Sequence, residues 1–321
     1  MSRRLRLVVT RALPDAVLAH IRANYDAVIH DSDTPFPADA LVAAAQGADA
    51  LFVTAMDKID RALIARLPDS VKVIGTLSVG HEHIDKEAAR QRGIAVLYTP
   101  DILSDAVAEM GMLLLLGAAR RVREGDVLLR SGTWRGWSPT QLLGQDVTGR
   151  RLGIFGMGRI GRTLARQARG FLMEIHYHNR NRLAPDLEAG ATYHPTFAGL
   201  LAVSDFLVLA APATAETRRL LNRETIAQLP PAAIVVNIAR GDLVDDEALI
   251  EALRSGRLAA AGLDVFDGEP DLNPGYLALP NVFLQPHQGS STLGTRTRMC
   301  ELLLTSIDAV CAGAPVSNRL V

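Results

Sequence analysis

The feature that most constrains this chain is Gly156-Met157-Gly158-Arg159-Ile160-Gly161 and its position between two other elements. The apolar run 151–155 before it reads as a strand, and 160–169 after it reads as a helix. A G-x-G-x-x-G alone is a weak signal, but at a strand-to-helix junction it has the setting of a dinucleotide loop. Gly156 makes the tight turn, Gly158 lets the backbone approach a pyrophosphate, and Gly161 lets the helix pack close to the sheet. The helix N-terminus adds free N–H groups and a partial positive charge.

The rest of the chain repeats the same rhythm. Strand candidates lie at 5–10, 27–30, 50–54, 71–76 and 94–98, with helical stretches at 14–22, 38–45, 61–66 and 85–91 between them. After the glycine loop, strands are expected at 174–178, 206–210, 234–238, 260–265 and 282–285, with helices at 197–203, 223–228 and 246–255. Alternating strands and helices imply parallel sheets covered on both faces. One long helix, from 105 to about 129, separates the two blocks, and a last helix runs 293–311. The expected fold is α/β with two doubly wound domains. A flavodoxin-like substrate domain takes 1–101, completed by 287–321, and a Rossmann domain takes 102–286 with a dimerisation arm at about 123–149.

Composition excludes several function classes. Apolar residues at 48% and charged residues at 21% match globular usage and rule out extensive disorder. A net charge of −1 leaves no electrostatic footprint for nucleic acid. The most apolar window, 110–119, is shorter than the roughly 20 residues a bilayer span needs, so no membrane partner is expected. The start lacks a signal-peptide apolar run, and Cys300 and Cys311 lie too far apart along one helix to bridge. Together these point to the cytoplasm. His81-Glu82-His83 has no accompanying ligand set, so no metal is expected.

The ribose-binding position is informative because of what replaces it. A carboxylate is expected after the second strand of a dinucleotide fold, to accept from the ribose 2′-OH. Here 174–178 is followed by Asn179-Arg180-Asn181-Arg182. Guanidinium groups attract a 2′-phosphate, so Asn179, Arg180 and Arg182 argue for NADP(H), with NAD(H) less favoured. Three further strand ends bear polar residues: Arg240, then Asp264 and Glu269, then His287. Ligands of open α/β sheets sit beyond the carboxyl ends of strands, so these residues should converge. His287 suits proton donation to a developing alkoxide, Glu269 suits orienting its imidazole, and Arg240 suits polarising a ketone and binding a carboxylate.

These motifs resemble the D-isomer-specific 2-hydroxyacid dehydrogenase family over essentially the whole chain. The matching stretches are 78–85, 99–109, 156–161, 237–245, 262–270 and 286–292. The resemblance implies that Arg240, Glu269 and His287 are the catalytic set, and that the Val79 and Gly80 amides bind the substrate carboxylate. It implies that Asp264 binds the nicotinamide amide, with Ile238 nearby, and that Arg159 and Ile160 meet the pyrophosphate. Met157, Pro212, Thr217 and Gly289 complete the expected cofactor contacts, and Met56 the substrate contacts.

Gln288 departs from the family, whose members often carry an apolar residue there. Within the family the chain looks most like glyoxylate/hydroxypyruvate reductases. The stretch 132–139 resembles their dimer arm, which implies a homodimer in which Trp137 either reaches the partner's active site or only packs at the interface. The expected activity is NADPH-dependent reduction of small 2-keto acids in a crevice that closes on substrate. A 2-ketogluconate reductase or another 2-hydroxyacid dehydrogenase is the alternative, and a dinucleotide-sensing corepressor the alternative of a different class.

Overall fold

The computed structural model describes residues 3–321. The chain divides into two compact units, Met1–Leu103 with Ser291–Val321, and Ser104–Ser290. His287 thus lies in the same unit as Arg240 and Glu269.

The first unit contains one parallel sheet. Its strands are β1 (Arg6–Val9), β2 (Asp26–Ile29), β3 (Ala50–Val53), β4 (Val73–Thr76) and β5 (Ala95–Leu97), in the order β2-β1-β3-β4-β5. This is the flavodoxin-like order. β3, β4 and β5 are wholly buried, as expected of strands covered on both faces. The helix Leu293–Cys311 returns to this sheet, where Leu303 and Ile307 press on Gly75 so closely that an added Cβ would sit 2.9 Å from Leu303.

The second unit is a seven-stranded parallel sheet. Its strands are β6 (Arg151–Phe155), β7 (Glu174–His178), β8 (Thr192–Tyr193), β9 (Phe206–Leu209), β10 (Ala233–Asn237), β11 (Leu258–Leu263) and β12 (Val282–Leu284), in the order β12-β11-β10-β9-β6-β7-β8. From β6 the chain winds outward through β7 and β8, then returns to β9 on the other side. The β6–β9 junction is the switch point where such sheets bind ligands. The sequence reading expects six strands here and misses β8, a two-residue edge strand too short to show a period.

The expected long helix at 105–129 is corrected to two helices, Ser104–Ala119 and Val122–Arg130. Ser104–Ala119 is largely buried, whereas Val122–Arg130 has no buried residue. The Ala119 carbonyl accepts from the Gln145 N–H at 2.9 Å rather than from the next turn. Arg121 takes a left-handed φ of 53° and forks onto Glu124 at 2.8 and 2.6 Å. A distant backbone donor thus ends the first helix, and a local ion pair starts the second.

Candidate active site

The glycine loop sits at the switch point. Gly156 has φ +99°, and a Cβ there would lie 2.5 Å from the Ala211 nitrogen, in the turn after β9. A Cβ on Gly161 would lie 2.2 Å from the Gly156 carbonyl oxygen. Two glycines are therefore required by close packing. Gly158 is different, because an added Cβ would meet nothing within 4 Å. It is exposed and begins the helix Arg159–Ala168, whose N-terminus no side chain caps. Open space before uncapped N–H groups fits a pyrophosphate, as dinucleotide binding requires. Arg159 is exposed and Ile160 half-buried at this end.

Asn179, just past β7, faces inward. Its Oδ1 accepts the Met157 N–H at 2.6 Å, tying the ribose-side turn to the glycine loop. Arg180 is exposed, and its charge helps hold the Glu216 carboxyl below its usual range after that group's own hydrogen bonds to Thr214 and to its backbone. Arg182 is committed elsewhere, to Glu188 at 2.8 and 3.1 Å. The Thr217 hydroxyl donates to the Pro212 carbonyl at 3.1 Å, which closes the loop after β9.

Three loops at the ends of β10, β11 and β12 bring the polar trio together. In the first, the Asn237 side chain donates to the Arg240 carbonyl at 2.8 Å and accepts from the Ala239 N–H at 3.0 Å. Ile238 is buried in the same loop. Gly241 then packs directly against the second loop, since a Cβ there would lie 1.8 Å from the Phe266 carbonyl carbon. Glu269 returns over that loop, with Oε1 accepting the Phe266 N–H at 2.7 Å. Its Oε2 lies 2.7 Å from His287 Nδ1. Burial pushes the Glu269 carboxyl up. The hydrogen bond and charge of His287, the Phe266 amide and the Arg240 cation together outweigh burial and leave it below its usual value.

The third loop holds His287 in a left-handed conformation, φ +53°. Its N–H donates to the Asp264 carbonyl at 2.8 Å. The buried Asp264 carboxylate accepts the next two N–H groups, Gln288 at Oδ1 and Gly289 at Oδ2, both at 2.7 Å. A Cβ on Gly289 would come 3.1 Å from Asp264 Oδ2, so the loop is packed as well as bonded. Burial raises the Asp264 carboxyl despite these two bonds.

Sequence reasoning overlooks this bracing role of Asp264, and those of Asn237, Asn179 and Glu188. A polar residue at or just past the carboxyl end of a strand, ahead of a functional loop, is the signal that could have found the first three.

Met56, Val79 and Gly80 belong to the other unit. Met56 is exposed in the turn after β3, and Val79 and Gly80 follow β4. Trp137 lies between Val122–Arg130 and β6 and is 83% exposed. In the first unit His83 Nε2 is 2.9 Å from the Thr76 hydroxyl, and His81 Nδ1 is 2.9 Å from Lys86 Nζ.

The model of the D-isomer specific 2-hydroxyacid dehydrogenase NAD-binding domain matches residues 112–289. A glycerate dehydrogenase of Hyphomicrobium methylovorum is 44% identical over 98% of both chains. A glyoxylate reductase of Pyrococcus furiosus is 39% identical over 96% of this chain and 93% of its own. Among solved structures, the NADPH-dependent glyoxylate/hydroxypyruvate reductase of Sinorhizobium meliloti, in complex with NADP and malonate, has a TM-score of 0.88 at 32% identity, covering 99% and 97% of the two chains. The glycine loop at the switch point, the trio on adjacent strand ends and these likenesses agree: the chain belongs to the D-isomer specific 2-hydroxyacid dehydrogenase family, within which it resembles the glyoxylate reductases.

Proposed function

We propose that this dehydrogenase reduces small 2-keto acids, glyoxylate and hydroxypyruvate first, to 2-hydroxy acids with NADPH. The observation that carries the chemistry is the 2.7 Å contact between His287 Nδ1 and Glu269 Oε2. A carboxylate there fixes the ring through Nδ1, which leaves Nε2 as the proton-donating atom. When bound, the nicotinamide supplies a hydride to the keto carbon. His287 delivers a proton to the keto oxygen as its negative charge develops, so a 2-hydroxy acid results. Arg240 stabilises that oxygen and the adjacent carboxylate by charge. The Val79 and Gly80 amides are assigned to the substrate carboxylate on the family resemblance, and Met56 to the substrate side chain.

NADPH is favoured over NADH because no carboxylate stands directly after β7, where Asn179 and the exposed Arg180 do. The reductase direction and substrates are supported by the names of the relatives, since oxidising glycerate at C2 gives hydroxypyruvate. We assign a homodimer to the segment 127–143, whose Val127, Leu129, Trp134, Trp137 and Leu143 are each exposed. Among the described residues no helix is long and apolar enough to cross a membrane. Cytoplasmic residence follows from the reading of a reduced, NADPH-using enzyme, with Cys300 and Cys311 both free thiols.

The test is oxidation of NADPH and of NADH with a panel of 2-keto acids that includes 2-ketogluconate. Turnover of glyoxylate or hydroxypyruvate with a higher kcat/KM for NADPH supports the reading. Dinucleotide binding without turnover of any keto acid supports the corepressor class instead.

A further inference from the structure

The turn between β7 and the short helix Pro185–Glu188 is fixed at two places. At its start, Asn179 holds the Met157 N–H. At its end, the Glu188 carboxylate is buried, although it belongs to a four-residue surface helix. Glu188 Oε1 accepts Arg182 Nε–H at 2.8 Å and the Tyr177 hydroxyl at 2.5 Å, and Oε2 accepts a second Arg182 N–H at 3.1 Å. The Tyr177 oxygen in turn accepts the Leu183 N–H at 3.1 Å. The Arg182 guanidinium lies 5.8 Å from the Tyr193 ring centroid, on β8. Arg169, past the end of the glycine-loop helix, donates to the carbonyls of Glu188 and Ala189 at 3.3 and 2.8 Å.

Of the two arginines in this turn, one is therefore consumed and one is not. Arg182 has a bidentate carboxylate, the strongest partner a guanidinium finds. Arg180 is exposed, has no hydrogen-bond or ion-pair partner among the described residues, and acts only by charge on the Glu216 carboxyl. We propose that Tyr177, Glu188 and Arg182 form a positioning clamp that sets the 179–183 turn so that Arg180 alone reads the cofactor's 2′-phosphate. Arg182 is then a positioning residue, and Glu188, a carboxylate nine residues past the usual acidic position, favours the phosphorylated cofactor by shaping the turn. This rests on the NADPH reading.

A double-mutant cycle tests it, with NADPH and NADH dissociation constants read by nucleotide fluorescence for R182M, E188A and the double variant, beside R180M. The clamp predicts that R180M weakens NADPH at least about tenfold with little change for NADH, as loss of a charged phosphate contact does. R182M and E188A each weaken NADPH by a similar smaller factor, and the double variant is no worse than either, because partners in one network are not additive. E188Q keeps both bonds at Oε1 and falls between E188A and the unsubstituted protein. R182M matching R180M in size, with E188A tightening NADPH, overturns the clamp, because Arg182 is then itself a phosphate ligand. Equal affinities for NADH and NADPH in the unsubstituted protein overturn the cofactor reading, and the clamp's role in selectivity with it, before any variant is made.

Discussion

His287 hangs from Asp264: its own N–H donates to the Asp264 carbonyl at 2.8 Å, and the two following N–H groups share the Asp264 carboxylate at 2.7 Å each. A non-glycine residue at φ +53° costs about 1–2 kcal/mol, so it persists only where surrounding bonds over-determine it. The histidine's place is thus set from the neighbouring strand's end. Asp264→Asn keeps one acceptor and turns a donor toward the other N–H. We expect it to lose roughly 1–3 kcal/mol in denaturant unfolding and to lower kcat as well. A variant with full stability and full kcat would remove Asp264 from this role.

Glu269 acts on His287 through charge. Glu269→Gln loses the charge-assisted bond that fixes the ring at Nδ1, so kcat for keto-acid reduction should fall while NADPH affinity is unchanged. His287→Phe should lower kcat by roughly 10²–10⁴-fold, the usual size of a proton-transfer contribution, with NADPH still bound. Both are read from steady-state rates and nucleotide titration.

Gly241 carries a packing prediction. With an added Cβ only 1.8 Å from the Phe266 carbonyl carbon, Gly241→Ala must separate the Arg240 loop from the Glu269 loop. Overpacking of this kind costs about 1–3 kcal/mol, and kcat/KM should fall with stability. Gly158→Ala, where nothing lies within 4 Å, should leave stability unchanged and weaken nucleotide binding instead.

Acid stability follows from Asp205 and Arg151, which join the starts of β9 and β6 at 2.7 and 3.1 Å. The hydrogen bond from Arg151 outweighs burial and holds the Asp205 carboxyl below its usual value. A depressed carboxyl stabilises the fold above its unfolded pKa, and that stability is lost as pH falls through the folded value. Asp205→Asn should therefore be less stable at pH 7, and the difference should shrink below about pH 4. Unfolding midpoints across that range check it.

Much of this was legible because glycine chemistry and strand ends are local. Gly156, Gly158 and Gly161 read as a dinucleotide loop from their spacing at a strand-to-helix junction, and Glu269 and His287 each follow an apolar run. What was not legible depends on partners far along the chain. Helix Ser104–Ala119 stops because Gln145 takes its last carbonyl. Arg182 looks like a phosphate ligand until Glu188, six residues on in a helix of four, is seen to hold it. β8 is too short for any period to register.

Delivery of a proton by His287 to a 2-keto acid reduced by NADPH is open to single-turnover NADPH oxidation with glyoxylate and hydroxypyruvate, in the unsubstituted protein and in His287→Phe. Oxidation should be rapid in the first and slower with NADH, and nearly lost in the second with NADPH still bound. Equal single-turnover rates in the two proteins would contradict it.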